Sequence, residues 1–222
     1  MELYFYLKWG NALILTDRDF EILKLVYKFK FCLGRHLKVL GNFTGQRSTD
    51  RRLRLLVDIG YLTRKKYLFG IPYLYTLTHK GRILLGANKR EDKIRIDRIT
   101  HDIYVLDSVI YFRDKYNLVF SDIESEKELH IKDGFGARQH RADFVFFYDD
   151  KKHAVEIELN AYKTKERLEK NVRDNYMGYD KQIWIIDNKK TFTMLKNFTN
   201  EYSNIELISL EVILQYIKER YK

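Results

Sequence analysis

The sequence predicts an α/β chain, α+β overall, in two parts: a helical amino-terminal unit closed by a β-hairpin, then a mixed-sheet unit. Three observations carry this. Charge is unevenly divided, with 18 Lys+Arg against 6 Asp+Glu in residues 1–90 and 23 against 25 in residues 91–222, which together make the net +10 of the chain. Apolar residues recur at helical spacing through the first part, whereas the second part mixes helical stripes with alternating and continuous apolar runs. Between them lies the charged stretch "ANKREDKIRI" at residues 87–96, with the composition of a linker. The expected organisation is therefore residues 1–86, a linker at 87–96, and residues 97–222.

A length of 222 residues with 45% hydrophobic content is enough for a core in one or two domains. The single cysteine, Cys32, excludes a disulfide framework and any zinc site built on several thiolates, and is expected to be a small buried apolar residue. A lysine-rich chain without disulfides suits a reducing, cytoplasmic setting. The opening "MELYFYLKWGNALIL" is broken by Glu2 and Lys8 and lacks the pattern of a signal peptide, so it reads as a strand or short helix packed on the body. No apolar run approaches membrane-spanning length, and no membrane partner is expected.

Thr16-Asp17-Arg18-Asp19 opens the first helix, with Thr16 as cap and Asp19 completing a variant capping box; Phe20, Leu23 and Tyr27 then recur at helical spacing. A short helix is expected at Arg35–Leu40. Ser48 is a good cap for a third helix through Ile59, with Leu53, Leu56 and Val57 as its apolar stripe. "YLTRKKYLFGIPYLYTLT" reads as a hairpin around Gly70 and Pro72, and "HKGRILLG" as a closing helical turn. Three helices followed by a hairpin is the order of a winged helix-turn-helix. Such a third helix can enter a major groove by its amino-terminal residues. Arg47, Ser48, Thr49, Arg51, Arg52 and Arg54, with Arg64, Lys65 and Lys66 at the base of the wing, are the candidate DNA contacts. The plainer reading is a solvated basic face.

In the second part a long helix is expected from Asp97 to Lys115, with Ile99, Ile103, Leu106 and Ile110 on one face. "LVFSDIESE" and "KELHI" read as two strands or one bent strand, and "KDGFGARQH" as a loop. Strands follow at Asp143–Tyr148 and His153–Leu159, then a helix at Lys163–Tyr176 with Leu168, Val172 and Tyr176 spaced along it. "QIWIID" is continuously apolar, as in a strand buried on both faces. A helix at Thr191–Phe198, a strand "NIELISL" and a helix "EVILQYIKERY" complete the chain.

The strand His153–Leu159 sets Glu156 and Glu158 on one face, about 7 Å apart. A turn centred on Asp150-Lys151 would set Tyr148 opposite His153 and Asp143 opposite Glu158, with Glu156 on the diagonal. Three carboxylates with no nearby Arg on that face would make a hard-oxygen site for Mg²⁺ or Mn²⁺. Lys163, ahead of Lys165 on the next turn, could orient a water or stabilise a phosphoryl oxygen. The alternative is an edge hairpin with exposed acids balanced by surface lysines.

"RAD" at Arg141–Asp143, "EIEL" at Glu156–Leu159 and the following Lys163 resemble the D…E-x-K core of the PD-(D/E)XK, restriction-endonuclease-like nucleases, with Glu158 at the usual Lys place. In the order "LTDRDFEIL", "LTHKG", "HDIYVLD", "SEKELH", "RADFVF" and "EIELNAYKTKERL", the whole chain is similar to the replication-relaxation proteins of plasmids and integrative elements. The resemblance implies a winged helix joined to a nuclease-like domain. It implies Asp143, Glu156, Glu158 and Lys163 at the catalytic places, Asp143, Glu156 and Glu158 at the metal, and His101 and Glu128 as second-tier candidates. It further implies a metal-dependent endonuclease or nickase acting at duplex origin DNA, with a second copy of the chain and replication or transfer proteins as candidate partners. The rival reading is a DNA-binding regulator or accessory protein whose nuclease-like domain is inactive.

Overall fold

The computed structural model describes residues 15–87, 92–132, 140–159 and 163–221, with the backbone of a short antiparallel pair, β1 (Phe5–Tyr6) and β2 (Ala12–Leu13). How the side chains of this leading segment pack lies outside the described residues. The chain is a mixed α/β structure that divides into two compact units, Met1–Ile96 and Asp97–Lys222. The expected linker at 87–96 therefore goes with the first unit, where Asp92 pairs with the buried Arg82; residues 88–91 lie outside the described residues.

In the first unit α1 (Asp17–Phe29) begins at Thr16, whose backbone amide and hydroxyl both donate to the Asp19 carboxylate, at 2.7 and 2.9 Å. Its buried face is Ile22, Leu23, Leu25, Val26 and Phe29; Phe20 and Tyr27, expected on that face, are only half-buried. β3 (Cys32–Leu33) and α2 (Gly34–Leu40) follow. Cys32 is fully buried, as expected. β3 is too short for any periodicity and was not expected from sequence. α3 (Gln46–Asp58) starts two residues before the expected cap: Gly45 is the cap, and Ser48 sits in the first turn with its hydroxyl donating to the Gly45 carbonyl at 2.7 Å. The hairpin β4 (Leu62–Lys65) and β5 (Leu74–Leu77) pairs Leu62 with Leu77, and β3 joins its far side to give the sheet order β3-β5-β4. α4 (His79–Leu84) closes the unit, capped by the Thr78 hydroxyl.

The second unit opens with α5 (Ile99–Tyr116), in which Ile99, Ile103, Leu106 and Ile110 are all buried. β6 (Ile123–Ser125) is followed by a helix, α6 (Glu126–Lys132), where "KELHI" was expected to be a strand. The cause is a capping box: the Ser125 amide donates to the Glu128 carboxylate at 2.8 Å, and the Glu128 amide donates back to the Ser125 hydroxyl at 3.3 Å. β7 (Phe144–Tyr148) and β8 (Lys151–Glu158) form a hairpin, α7 (Lys165–Gly178) crosses to β9 (Lys181–Ile186), and α8 (Lys189–Phe198) crosses to β10 (Ile205–Ser209) before α9 (Leu210–Arg220).

The sheet order is β10-β9-β8-β7-β6, with β6, β7 and β8 antiparallel and β8, β9 and β10 parallel. From Gln182 to Ile186, β9 is buried throughout, as its continuous apolar run implies. α5 packs on one face of the hairpin through Phe112 against Phe144 and Phe146, while His153 stacks on Phe146 at 4.7 Å. α9 is tied to α5 at Asp114, which accepts from Tyr216 at 2.8 Å and from Arg220 at 3.0 Å. Among the described residues no helix is long and apolar enough to cross a membrane.

Candidate functional site

The third helix of the first unit divides its arginines between two duties. Arg47, Arg51 and Arg54 are exposed, and with Arg18 and Phe43 the last two line an open groove of about 860 Å³ between α3 and the first turn of α1. Arg52 does something else. Its guanidinium takes both oxygens of the fully buried Asp19 carboxylate, so it bolts α3 to α1 while also lining the groove. Burial alone would raise the pKa of Asp19, but Arg52 and the two donors of Thr16 outweigh it and hold the carboxyl below its ordinary range. Thr49 is withdrawn from the candidates: it is fully buried, and its hydroxyl donates to the Gly45 carbonyl at 2.9 Å.

The wing adds three exposed cations, each beside an aromatic ring. The Arg64 guanidinium lies 4.1 Å from the ring centre of Tyr73, Lys65 lies 5.3 Å from Tyr67 and Lys66 lies 5.6 Å from Phe69. Ring faces attract cations and restrict their long stems without cancelling their charge.

In the second unit the hairpin register differs from the expected one. The turn is Asp149-Asp150, both at positive φ (52° and 55°), the backbone of a two-residue type I′ turn. Tyr148 therefore faces Lys151 and Phe144 faces Val155, so that Asp143 is level with Glu156 and not with Glu158. A slip of two residues keeps each side chain on its expected face, because side chains alternate with a period of two.

The Asp143 carboxylate turns to the end of β8, where it accepts the Ile157 amide at 2.8 Å, and meets the start of α5. There His101 Nε2 lies 3.3 Å away and Arg98 Nη2 3.8 Å, so the expectation of no nearby Arg is overturned. His101 Nδ1 is 3.1 Å from Asp102. Burial would lower the pKa of His101, but the charge of Asp143 and the hydrogen bonds to both aspartates outweigh it and push it up to about 9. At neutral pH His101 is an imidazolium. Asp143 is correspondingly held below its ordinary range, against burial, by His101, the Ile157 amide and Arg98.

Glu156 points to the α7 side. Its Oε1 is 2.6 Å from His140 Nε2 and accepts from the Asn175 amide at 2.9 Å. Burial raises its pKa, Asp143 raises it further, and His140 and Asn175 offset only part. His140 is raised in turn by its bond to Glu156, against burial. Glu158 pairs with Lys163, as Lys163's place just beyond the strand allows. Lys165 is exposed. Glu128 is engaged in its capping box with Ser125.

Asp143 and Glu156 are thus brought together, and His101 joins them. Each of the three carboxylates is met by a basic side chain: His101 and Arg98, His140, and Lys163. Among the described residues no three His, Cys, Asp or Glu side chains gather as ligands for a metal ion. In this arrangement the repulsion between the acids is offset by the basic side chains beside them.

Sequence reasoning missed Arg98, His140 and Asn175. Arg98 had a signal, standing one helical turn before His101. So did Asn175: the buried face of α7 is Leu168, Asn171, Val172 and Asn175, and an amide on a core stripe implies a buried partner. Tyr176, expected on that stripe, is exposed. His140 carried no pattern. In comparison with known proteins, no family model, curated protein or solved structure matches the chain.

Proposed function

We propose that the protein binds duplex DNA through its first unit, as an accessory or regulatory factor in replication or transfer of a plasmid or mobile element. The observation that carries this is the set of exposed guanidiniums at Arg47, Arg51 and Arg54 on α3, beside a wing bearing Arg64, Lys65 and Lys66. Helix and wing together follow the order of a winged helix, in which the third helix enters a groove and the wing reaches the neighbouring phosphates. The excess of 12 positive charges over residues 1–90 adds the long-range attraction that a polyanion requires. The host process rests on the resemblance to replication-relaxation proteins.

A second reading, a DNA endonuclease or nickase, is favoured by one observation. Asp143 and Glu156 lie at the end of an antiparallel hairpin that continues through α7 into a parallel strand, as in restriction-endonuclease-like nucleases. Against it stands the pairing of each of the three carboxylates with a basic side chain of the protein. One experiment ranks the two: labelled duplex and supercoiled plasmid are incubated with the protein, with Mn²⁺ and with chelator. The accessory reading predicts a shifted duplex and intact supercoils in both conditions. Nicking that requires Mn²⁺ and is lost in Asp143→Asn establishes the nuclease reading. Absence of both a duplex shift and nicking removes both.

A further inference from the structure

The tip of the wing carries a side chain that the first unit does not use for its own packing. Phe69 is 99% exposed, the extreme among the exposed large hydrophobic residues of the described chain. It stands where the hairpin reverses, next to Gly70 at φ 78°, a backbone conformation that favours glycine. Pro72 beyond it is also exposed, and Ile71 is half-buried. Within the fold the ring meets the Lys66 ammonium, 5.6 Å from its centre, and otherwise faces water. Behind the ring stand the exposed ammonium groups of Lys65 and Lys66 and the Arg64 guanidinium, which lies over Tyr73.

We propose that Phe69 is a wedge that enters the minor groove of duplex DNA and opens a base step. The proposal rests on the duplex-binding reading of the first unit and states what its wing does there. Apolar side chains of this kind, Phe, Ile and Pro among them, are the ones that minor-groove proteins insert between base pairs. The flanking cations fit the same partner, since a wedge needs the phosphates on either side of the opened step to be held. β4 follows α3 after a short turn at Ile59–Tyr61, so a helix lodged in a major groove carries the hairpin to the adjoining minor groove. A lipid surface suits the charges but not the single ring, because stable membrane attachment takes a larger apolar area. Flexible pyrimidine–purine steps such as TA are the preferred targets, as they unstack at least cost.

The test uses the full chain as wild type, F69A and F69W, with a short duplex carrying fluorescent aminopurine at a central TA step. The exposed position makes both variants compatible with the fold. Wild type should raise the aminopurine emission on binding, and F69W should show quenching on duplex addition beyond the change seen in wild type. F69A should lose the aminopurine rise and bind on the order of tenfold more weakly, with an unchanged salt dependence, because its phosphate contacts remain. The wedge is overturned if F69A binds with wild-type affinity and the same aminopurine rise, or if F69W is unquenched while the chain is bound. Stronger quenching by the single strand of the same sequence replaces it with stacking on unpaired bases, and stronger quenching by phosphatidylserine vesicles replaces it with a membrane contact. Failure of wild type to bind the duplex overturns the duplex reading itself, and so is told apart from failure of the wedge alone.

Discussion

On α3 the guanidiniums of Arg51 and Arg54 stand in solvent, whereas in the second unit His101, Asp143, His140 and Glu156 are withdrawn from it and bonded to one another. The difference separates two uses of charge. An exposed cation contributes little to its own fold and remains available to an outside anion. A buried pair is committed: removing either partner leaves the other desolvated and uncompensated. Arg51 and Arg52 set the two uses side by side on one helix: both line the groove, but Arg51 is exposed there whereas Arg52 is held by the buried Asp19.

The largest effect is expected where commitment is deepest. Asp143→Ala leaves His101 with Asp102 alone and removes the acceptor of the Ile157 amide, and should destabilise the second unit by about 3–5 kcal/mol in urea denaturation at neutral pH. A loss below about 1 kcal/mol would mean that the cluster is solvated and the comparison is wrong. Arg52→Ala comes next, at about 2–3 kcal/mol, since Asp19 keeps the two donors of Thr16.

The pH response sharpens the contrast. His101 has a folded pKa of about 9 against an ordinary 6.5. Its contribution is therefore fully present below pH 6.5 and lost as pH rises through about 9. His140 acts in the same direction. Asp143 has the opposite dependence, contributing above its ordinary 3.8 and losing its contribution as pH falls through its lower folded value. Glu156, raised above its ordinary 4.5, adds a further loss of stability as pH climbs through its folded pKa. Denaturation followed across the alkaline range should show the decline in wild type and a shallower one in His101→Asn. An equal slope would remove the imidazolium from the account. The smallest effect is at Lys163, whose loss should cost about 1 kcal/mol through Glu158, while Lys165→Ala leaves stability unchanged.

Much of the fold was legible because its elements are long and strongly patterned. The core positions of α5 and the burial of β9 follow directly from periodicity. What failed were decisions made by single residues. Ser125 and Glu128 form a capping box that turns an apparently extended run into α6, and the signature is present in the sequence. Asp149 and Asp150 both accept the left-handed backbone of a type I′ turn, which moves the hairpin register by two. That shift preserved the faces, so Glu156 was correctly set on a shared acidic face, but it changed which carboxylate stands beside which. Lys163 is close to Glu158 in sequence, but the other basic partners of the acids, Arg98, His101 and His140, are distant in sequence and no local pattern specifies them.

The comparison is tested most directly by the salt dependence of duplex binding in wild type, Arg51→Ala and Arg52→Ala, measured alongside their stability. Arg51→Ala should bind more weakly, reduce the slope of log affinity against log salt by about one unit, and keep wild-type stability. Arg52→Ala should lose stability and, at temperatures where it remains folded, keep the wild-type slope. An unchanged slope for Arg51→Ala, or a slope lost equally in both variants, would contradict the division of labour on α3 and with it the placement of DNA on this helix.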